Sequence, residues 1–93
     1  MVVFEKPVPC YYKGNRTYGT KLYSDLPGKD GDKELKSLVT SIGLHSHMIT
    51  KDKNSNKNYF FVMGRKIEVA RTAGANQMPS TYIERIRGQQ HGG

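Results

Sequence analysis

Apolar residues near the middle of the chain recur at the spacing of an amphipathic helix. The stripe consists of Leu35, Leu38, Val39 and Ile42. Asp32 stands at the N-cap position, and Glu34 suits the positive end of the helix. Gly43 supplies a left-handed stop, beyond which Leu44 packs back. The pattern therefore predicts a helix that begins after Asp32, ends at Gly43 and buries Leu38.

Short apolar runs on both sides of this helix are typical of strands. They are residues 2–4, 8–12 and 21–24 before the helix, and 45–50 and 58–63 after it. Pro9 marks the second run as an edge strand. Residues 59–63 form the most apolar run of the chain and predict a central strand, which pairs with 45–50 in a hairpin.

The last third of the chain predicts further helices. One begins near Gly64 and stops at Gly74. Its inward-facing residues are Ile67, Ala70 and Ala73. Ser80 or Thr81 caps a short final helix through Ile86, with a strand at 81–83 as the alternative.

The order of these elements predicts an α+β fold, with a small, mostly antiparallel sheet covered by two helices. One domain is expected over residues 1–88, followed by a flexible tail at 89–93. Because hydrophobic residues make up only 35% of the 93 residues, the core is modest. We expect a partner or a homo-oligomer to complete it.

Charge is unevenly distributed along the chain, which carries a formal net charge of +7. Residues 6–23 and 53–67 contain no acid, whereas the acids gather between Asp25 and Glu34. A field of this sign favours acidic partners such as nucleic acid or nucleotides. The alternative is an ordinary solvated surface.

The sequence does not contain the residue patterns that several common functions require. The single cysteine, Cys10, excludes an internal disulfide and a cysteine-based zinc site, and it favours a reducing cytoplasm. His45 and His47 share a strand face, but the remaining metal-ligand candidates are scattered. No phosphate loop, dinucleotide fingerprint or activated nucleophile occurs. No apolar run approaches the roughly 20 residues that span a bilayer. We expect no enzyme activity, metal, cofactor or membrane partner.

A segment rich in tyrosine, from Tyr11 to Lys21, is the first candidate binding site. It interleaves rings that stack on bases with cations that neutralise phosphates. Its candidate residues are Tyr11, Tyr12, Lys13, Arg16, Tyr18 and Lys21. The alternative is a hairpin whose rings cover a small core.

The start of the second predicted helix is the other candidate site. Arg65 and Lys66 fall in its first turn, where free amides and the helix dipole already favour an anion. Cations are unfavourable there unless something negative lies nearby, so their presence indicates an anionic partner. Arg71 lies about one and a half turns further along, and it joins the candidate list.

Short motifs between Asp25 and Ala75 resemble those of domain of unknown function 4031, a small family found in phages and bacteria. The resemblance is carried by Glu34-Leu35, Ile42-Gly43-Leu44, Arg65-Lys66, Ala70 and Gly74-Ala75, in order. Lys36 stands where that family has a histidine, and Asn58-Tyr59-Phe60 replaces its His-Tyr-Asp. The resemblance covers about half of the chain and implies a phage or prophage origin.

Together these features predict a non-enzymatic, cytoplasmic binding protein for a phosphate-rich partner, most simply a nucleic acid. One alternative is an oligomeric sponge that sequesters small phosphorylated signalling nucleotides with the same cations. Another is an inhibitor that docks on an acidic host protein. An open basic face favours the first function, a closed basic pocket the second, and a flat patch with apolar anchors the third.

Replacing Arg65 and Lys66 together with Gln tests the second candidate site. We expect folding stability to stay unchanged or to rise slightly, because two cations leave the positive end of a helix. Nucleic-acid affinity should fall, and the salt slope should drop by about one unit for each phosphate that the variant no longer binds. Binding across a salt series, beside thermal unfolding, measures both. If neither quantity changes, these residues form a solvated turn.

Overall fold

A ten-residue strand, β3 (Asn15–Ser24), organises the sheet of the computed structural model, which describes residues 1–53, 55 and 57–88. On one side it pairs antiparallel with β5 (Asn58–Met63). On its other side lie β1 (Val2–Phe4) and β2 (Val8–Tyr12), both antiparallel to it. Pro7 sits in the break between these two strands.

Two short strands complete the sheet. β4 (Thr50–Lys51) pairs antiparallel with β5, and β6 (Asn76–Gln77) pairs parallel with β1. The strand order is β4-β5-β3-β1-β6, with β2 beside β3. β2 pairs with β3 alone in the described part of the chain, as Pro9 predicts for an edge strand.

The sheet carries helices on both faces. α1 (Gly28–Ser41) and α2 (Arg65–Thr72) pack on one face, in a core with Leu22, Phe60 and Val62. α3 (Ser80–Arg87) packs on the other face, where Ile83 and Ile86 meet Val3 and Tyr23. The α+β fold is confirmed, but the described residues form three helices and not a sheet covered by two.

The predicted stripe of α1 is confirmed, with Leu35 and Val39 buried and Leu38 half-buried. Gly43 ends the helix with φ +80°, and the Leu44 N–H donates to the Val39 carbonyl at 3.1 Å. The predicted start is wrong. The helix already begins at Gly28, because Gly31 has no side chain to collide with the Leu26 carbonyl that the first turn approaches.

Asp32 does not cap α1. It lies inside the helix, where its Oδ1 accepts a hydrogen bond from Asn58 Nδ2 at 2.8 Å. The residue that precedes the helix is Pro27, and no side chain caps the N-terminus. The cap prediction is wrong because the helix already begins at Gly28, so Asp32 is no longer at its N-terminus.

The strand predictions need two corrections. β3 begins at Asn15 and not at residue 21, because Lys13 (φ +51°) and Gly14 (φ +79°) close a two-residue turn between paired strands. Residues 45–50 are not a strand throughout. Ser46–Met48 forms a 3₁₀ turn, in which the Met48 N–H donates to the His45 carbonyl at 3.1 Å.

The helices after β5 agree with most of the prediction. In α2, Ile67 and Ala70 are buried, whereas Ala73 is exposed and Ala75 takes the inward position instead. The Ala75 N–H donates to the Ala70 carbonyl at 3.0 Å, which turns the chain back under the helix.

α3 is a helix and not the alternative strand at 81–83, and its Ile83 and Ile86 are buried. Neither Ser80 nor Thr81 caps it through a side chain. The predicted tail at 89–93 lies outside the described residues. No described helix is long and apolar enough to cross a membrane.

Leu35→Ala and Leu38→Ala should differ in their effect on the free energy of unfolding. Leu35 is fully buried, so its loss should leave a cavity and cost about 2–5 kcal/mol. Leu38 is only half-buried and should cost less, in contrast to the burial predicted from the stripe. Urea unfolding followed by circular dichroism measures both, and equal costs would contradict this packing of α1.

Candidate functional site

A two-stranded arm extends beyond the body of the sheet. β5 ends opposite Gly19, so residues 15–18 of β3 pair with β2 but with no further strand in the described chain. We call the hairpin of residues 8–19 the arm. Every residue of β2 is exposed or half-exposed, and no residue of the arm belongs to either core cluster of the described residues.

The arm holds three large rings in solvent. Tyr11, Tyr12 and Tyr18 are 76%, 51% and 55% exposed. None of the three rings belongs to either core cluster of the described residues. They therefore do not cover a small core, which is the alternative to a binding site. Exposed rings with polar tips are typical of interfaces.

The pleat of the strands divides the arm residues between its two faces. Leu22 belongs to the face covered by α1 and α2, and alternation brings Arg16 and Tyr18 to that same face. Tyr11 joins them because it pairs with Arg16. Tyr12 pairs with Asn15 and therefore lies on the face of α3, together with Lys21.

The start of α2 lies directly against the arm. The Gly64 N–H donates to the Tyr18 carbonyl at 2.9 Å, and a Cβ at Gly64 would stand 3.3 Å from Thr17 Oγ1. A depression of about 520 Å³ opens between the arm, β5 and the first turn of α2. Tyr12, Lys13 and Lys66 line it, whereas Tyr11, Arg16 and Tyr18 do not, so the two predicted sites meet here only in part.

The remaining predicted residues occupy different positions. Arg65 is exposed beside this depression but does not line it. Lys21 lies further along β3, with its Nζ 4.5 Å from the centre of the Tyr59 ring. In the described residues neither Arg65 nor Lys66 forms an ion pair.

Arg71 is not brought to this region. It lies at the last turn of α2, with its guanidinium 5.3 Å from the centre of the Phe4 ring. Its Nε is 3.4 Å from Glu68 Oε2, and its Nη2 donates to Gln77 Oε1 at 3.4 Å. These contacts hold the Arg71 side chain against Phe4, Glu68 and Gln77, away from the arm.

Sequence reasoning missed a buried polar network on the face of α3. Asp52 is only 3% exposed, and its Oδ2 accepts hydrogen bonds from Tyr23 Oη at 3.0 Å and Arg87 Nε at 2.8 Å. Burial raises the pKa of Tyr23, and the hydrogen bond to Asp52 raises it further. No local pattern indicates this network, since the partners of Asp52 are 29 and 35 residues away.

The acids cluster at the opposite end of β3 from the arm. Asp25 and Glu34 each lie 2.7 Å from the Met1 ammonium group, and Ser24 Oγ donates to Glu34 Oε1 at 2.6 Å. Burial acts to raise the pKa of Asp25, but hydrogen bonds from the Met1 ammonium group and from Tyr82 outweigh it and lower the pKa. These contacts hold the acids at this end of the sheet and keep them away from the arm.

Lys57 lies beside this acidic cluster and is buried. Its Nζ donates to the Leu26 carbonyl at 2.8 Å and so fixes the loop before α1. Burial lowers the pKa of Lys57, although the charges of Asp25, Asp32 and Glu34 oppose the shift.

Metal ligands are not assembled in the described part of the chain, where no group of three or more His, Cys, Asp or Glu is placed to hold an ion. The His45 and His47 rings lie 5.3 Å apart, centre to centre, around the 3₁₀ turn and not on the predicted strand.

Comparisons with protein-family models, curated proteins and solved structures give no match for this chain. The resemblance to domain of unknown function 4031 therefore stays a prediction. Function is therefore inferred from the geometry of the arm, of α2 and of the α3 face.

Tyr23→Phe should cost about 1–3 kcal/mol of folding free energy at pH 7, because buried Asp52 loses a donor. The pKa of Tyr23 is raised above its usual 10 in the folded protein. The stability that the Tyr23 hydroxyl contributes is therefore complete below pH 10 and is lost as the pH rises further. The stability difference between wild type and variant should shrink above pH 10.

Urea unfolding at several pH values between 7 and 11 measures this difference. Tyr11→Phe is the control, because its ring is exposed and lies outside the network. A difference for Tyr23→Phe that stays constant up to pH 11 would contradict the role of the hydroxyl.

Proposed function

We propose that this protein is a non-enzymatic nucleic-acid-binding protein that uses the arm and the first turn of α2 to hold a single-stranded segment. The observation that carries the proposal is the set of exposed tyrosines interleaved with cations on a strand pair that contributes no residue to the described core clusters. A cytoplasmic setting and a phage or prophage origin belong to the same proposal. The lone, half-buried Cys10 and the family resemblance support them.

The rings support a single-stranded ligand in particular. Unpaired bases offer their faces to aromatic side chains, and each such stack is worth about 1–3 kcal/mol. Tyr11 and Tyr18 share one face of the arm, and Tyr12 lies on the other. Bases in a duplex are stacked on one another and cannot meet these rings.

The cations supply the contacts to phosphate. Lys13 and Arg16 lie on the arm, and Lys13 and Lys66 both line the depression. Backbone amides at the start of α2 add donors and about half a positive charge. The depression is open and forms part of a continuous surface, which favours a strand over an enclosed small nucleotide.

Fluorescence anisotropy with a labelled single-stranded oligonucleotide and a matched duplex tests the proposal. Affinity for the single strand should be higher and should fall steeply with salt, with a log–log slope of several units. Tyr11→Ala with Tyr18→Ala should weaken binding about tenfold or more, whereas the two Tyr→Phe changes should retain it. Lys13→Gln with Arg16→Gln should lower the slope by about one unit for each phosphate that is no longer neutralised.

Lys33→Gln with Lys36→Gln is the matched charge control, since both lysines are exposed on α1 and lie outside the proposed surface. This control should change affinity little. Undetectable binding at low salt would refute the proposal, and so would an equal loss of affinity in the α1 control.

A further inference from the structure

A recess of about 230 Å³ lies on the α3 face of the sheet, between the end of α3, the β1–β2 connection and β3. It is separate from the depression beside α2, but Phe61 lines both. Of the candidate residues predicted from the sequence, only Lys21 lines this recess.

The recess carries an excess of positive charge. Lys6, Lys21 and Arg87 line it against a single carboxylate, that of Glu5. Asp52 holds Arg87 through Nε and leaves the side chain 28% exposed. Among the hydrogen bonds of the described residues, none engages the terminal nitrogens of Arg87, so they remain available to an anion.

Gly19 and the rings of Phe61 and Tyr23 are among the residues that line the recess. A Cβ at Gly19 would overlap the Phe61 ring, so the ring lies on bare backbone. Phe61 is directly opposite Lys21 in the sheet and is 43% exposed. An exposed apolar ring next to a cation matches the two parts of a nucleotide, a base and a phosphate.

We infer that this recess binds one nucleotide unit, with its base against Phe61 and its phosphate in contact with Lys6, Lys21 and Arg87. The volume is below the about 300–1,000 Å³ of pockets for drug-sized ligands, so the recess would enclose only part of the unit and leave the rest in solvent. The inference rests on the proposed function, because the shared Phe61 lets a strand held by the arm continue into the recess. A free mononucleotide has the same chemistry and would use the same contacts.

Titration of ¹⁵N-labelled protein, followed by NMR, tests the inference with two probes. One probe is a single-stranded oligothymidylate, and the other is free thymidine monophosphate. The amides of Lys6, Thr20 and Arg87, which line the recess but neither the arm nor the depression, should shift with either probe that enters the recess. The amides of Tyr11, Tyr12 and Tyr18 report contact with the arm in the same spectra.

Lys6→Gln with Lys21→Gln should weaken oligonucleotide binding about tenfold and lower the salt slope by about two units. Phe61→Leu should weaken it about fivefold or more, and Phe61→Tyr, which keeps the ring, should retain it. The α1 control, Lys33→Gln with Lys36→Gln, should have little effect. Circular dichroism checks that each variant folds, and the two lysines are exposed, so their change should not unfold the protein.

The outcomes separate this inference from the proposed function. Oligonucleotide binding that depends on Tyr11 and Tyr18, with no recess shifts and no effect of the recess variants, overturns the inference and leaves the proposed function standing. Mononucleotide binding that requires Lys6 and Lys21, without oligonucleotide binding, supports the recess site and refutes the proposed function. If neither probe binds, both are refuted.

Discussion

The pairing of β3 on both of its edges is the interaction on which the rest of this structure depends. Its ten residues extend over about 33 Å, longer than any of its partners. The Ser24 end is buried between helices, whereas the Asn15 end runs past the last residue of β5. One strand therefore belongs to the core at one end and to the exposed arm at the other. The tyrosines of the arm lie outside the described core clusters and stay exposed.

The same strand separates the charges of the protein. The acids near Asp25 and Glu34 engage the Met1 ammonium group and other groups at one end, and the cations of the arm lie at the other. At physiological salt, charges separated by more than about 8 Å are largely screened from each other. The acids near Asp25 and Glu34 thus do not neutralise the arm, whose residues 8–19 include cations and no acid.

Close approach at two glycines connects the arm to the body. Gly64 allows α2 to begin against Thr17, and Gly19 allows the Phe61 ring to lie on β3. On the α3 face, buried Asp52 holds Arg87 beside this ring. Two contacts therefore shape the surface on that face, namely the packing of Phe61 on Gly19 and the hydrogen bond from Arg87 to buried Asp52. Both contacts also stabilise the fold.

Local patterns in the sequence determine the α1 stripe, its stop at Gly43, the helix after β5, and the segregation of charge, because each depends on neighbours within a few residues. They leave the segment at 81–83 open between helix and strand. Tertiary structure alone decides that Lys66 meets Tyr12 and Lys13, that Arg71 lies elsewhere, and that Phe61 faces solvent. It also decides the pairing of Asp52 with Arg87, 35 residues away. These contacts depend on the register between strands and on which face of the sheet each helix covers. The spacing of apolar residues along the chain does not predict either of them.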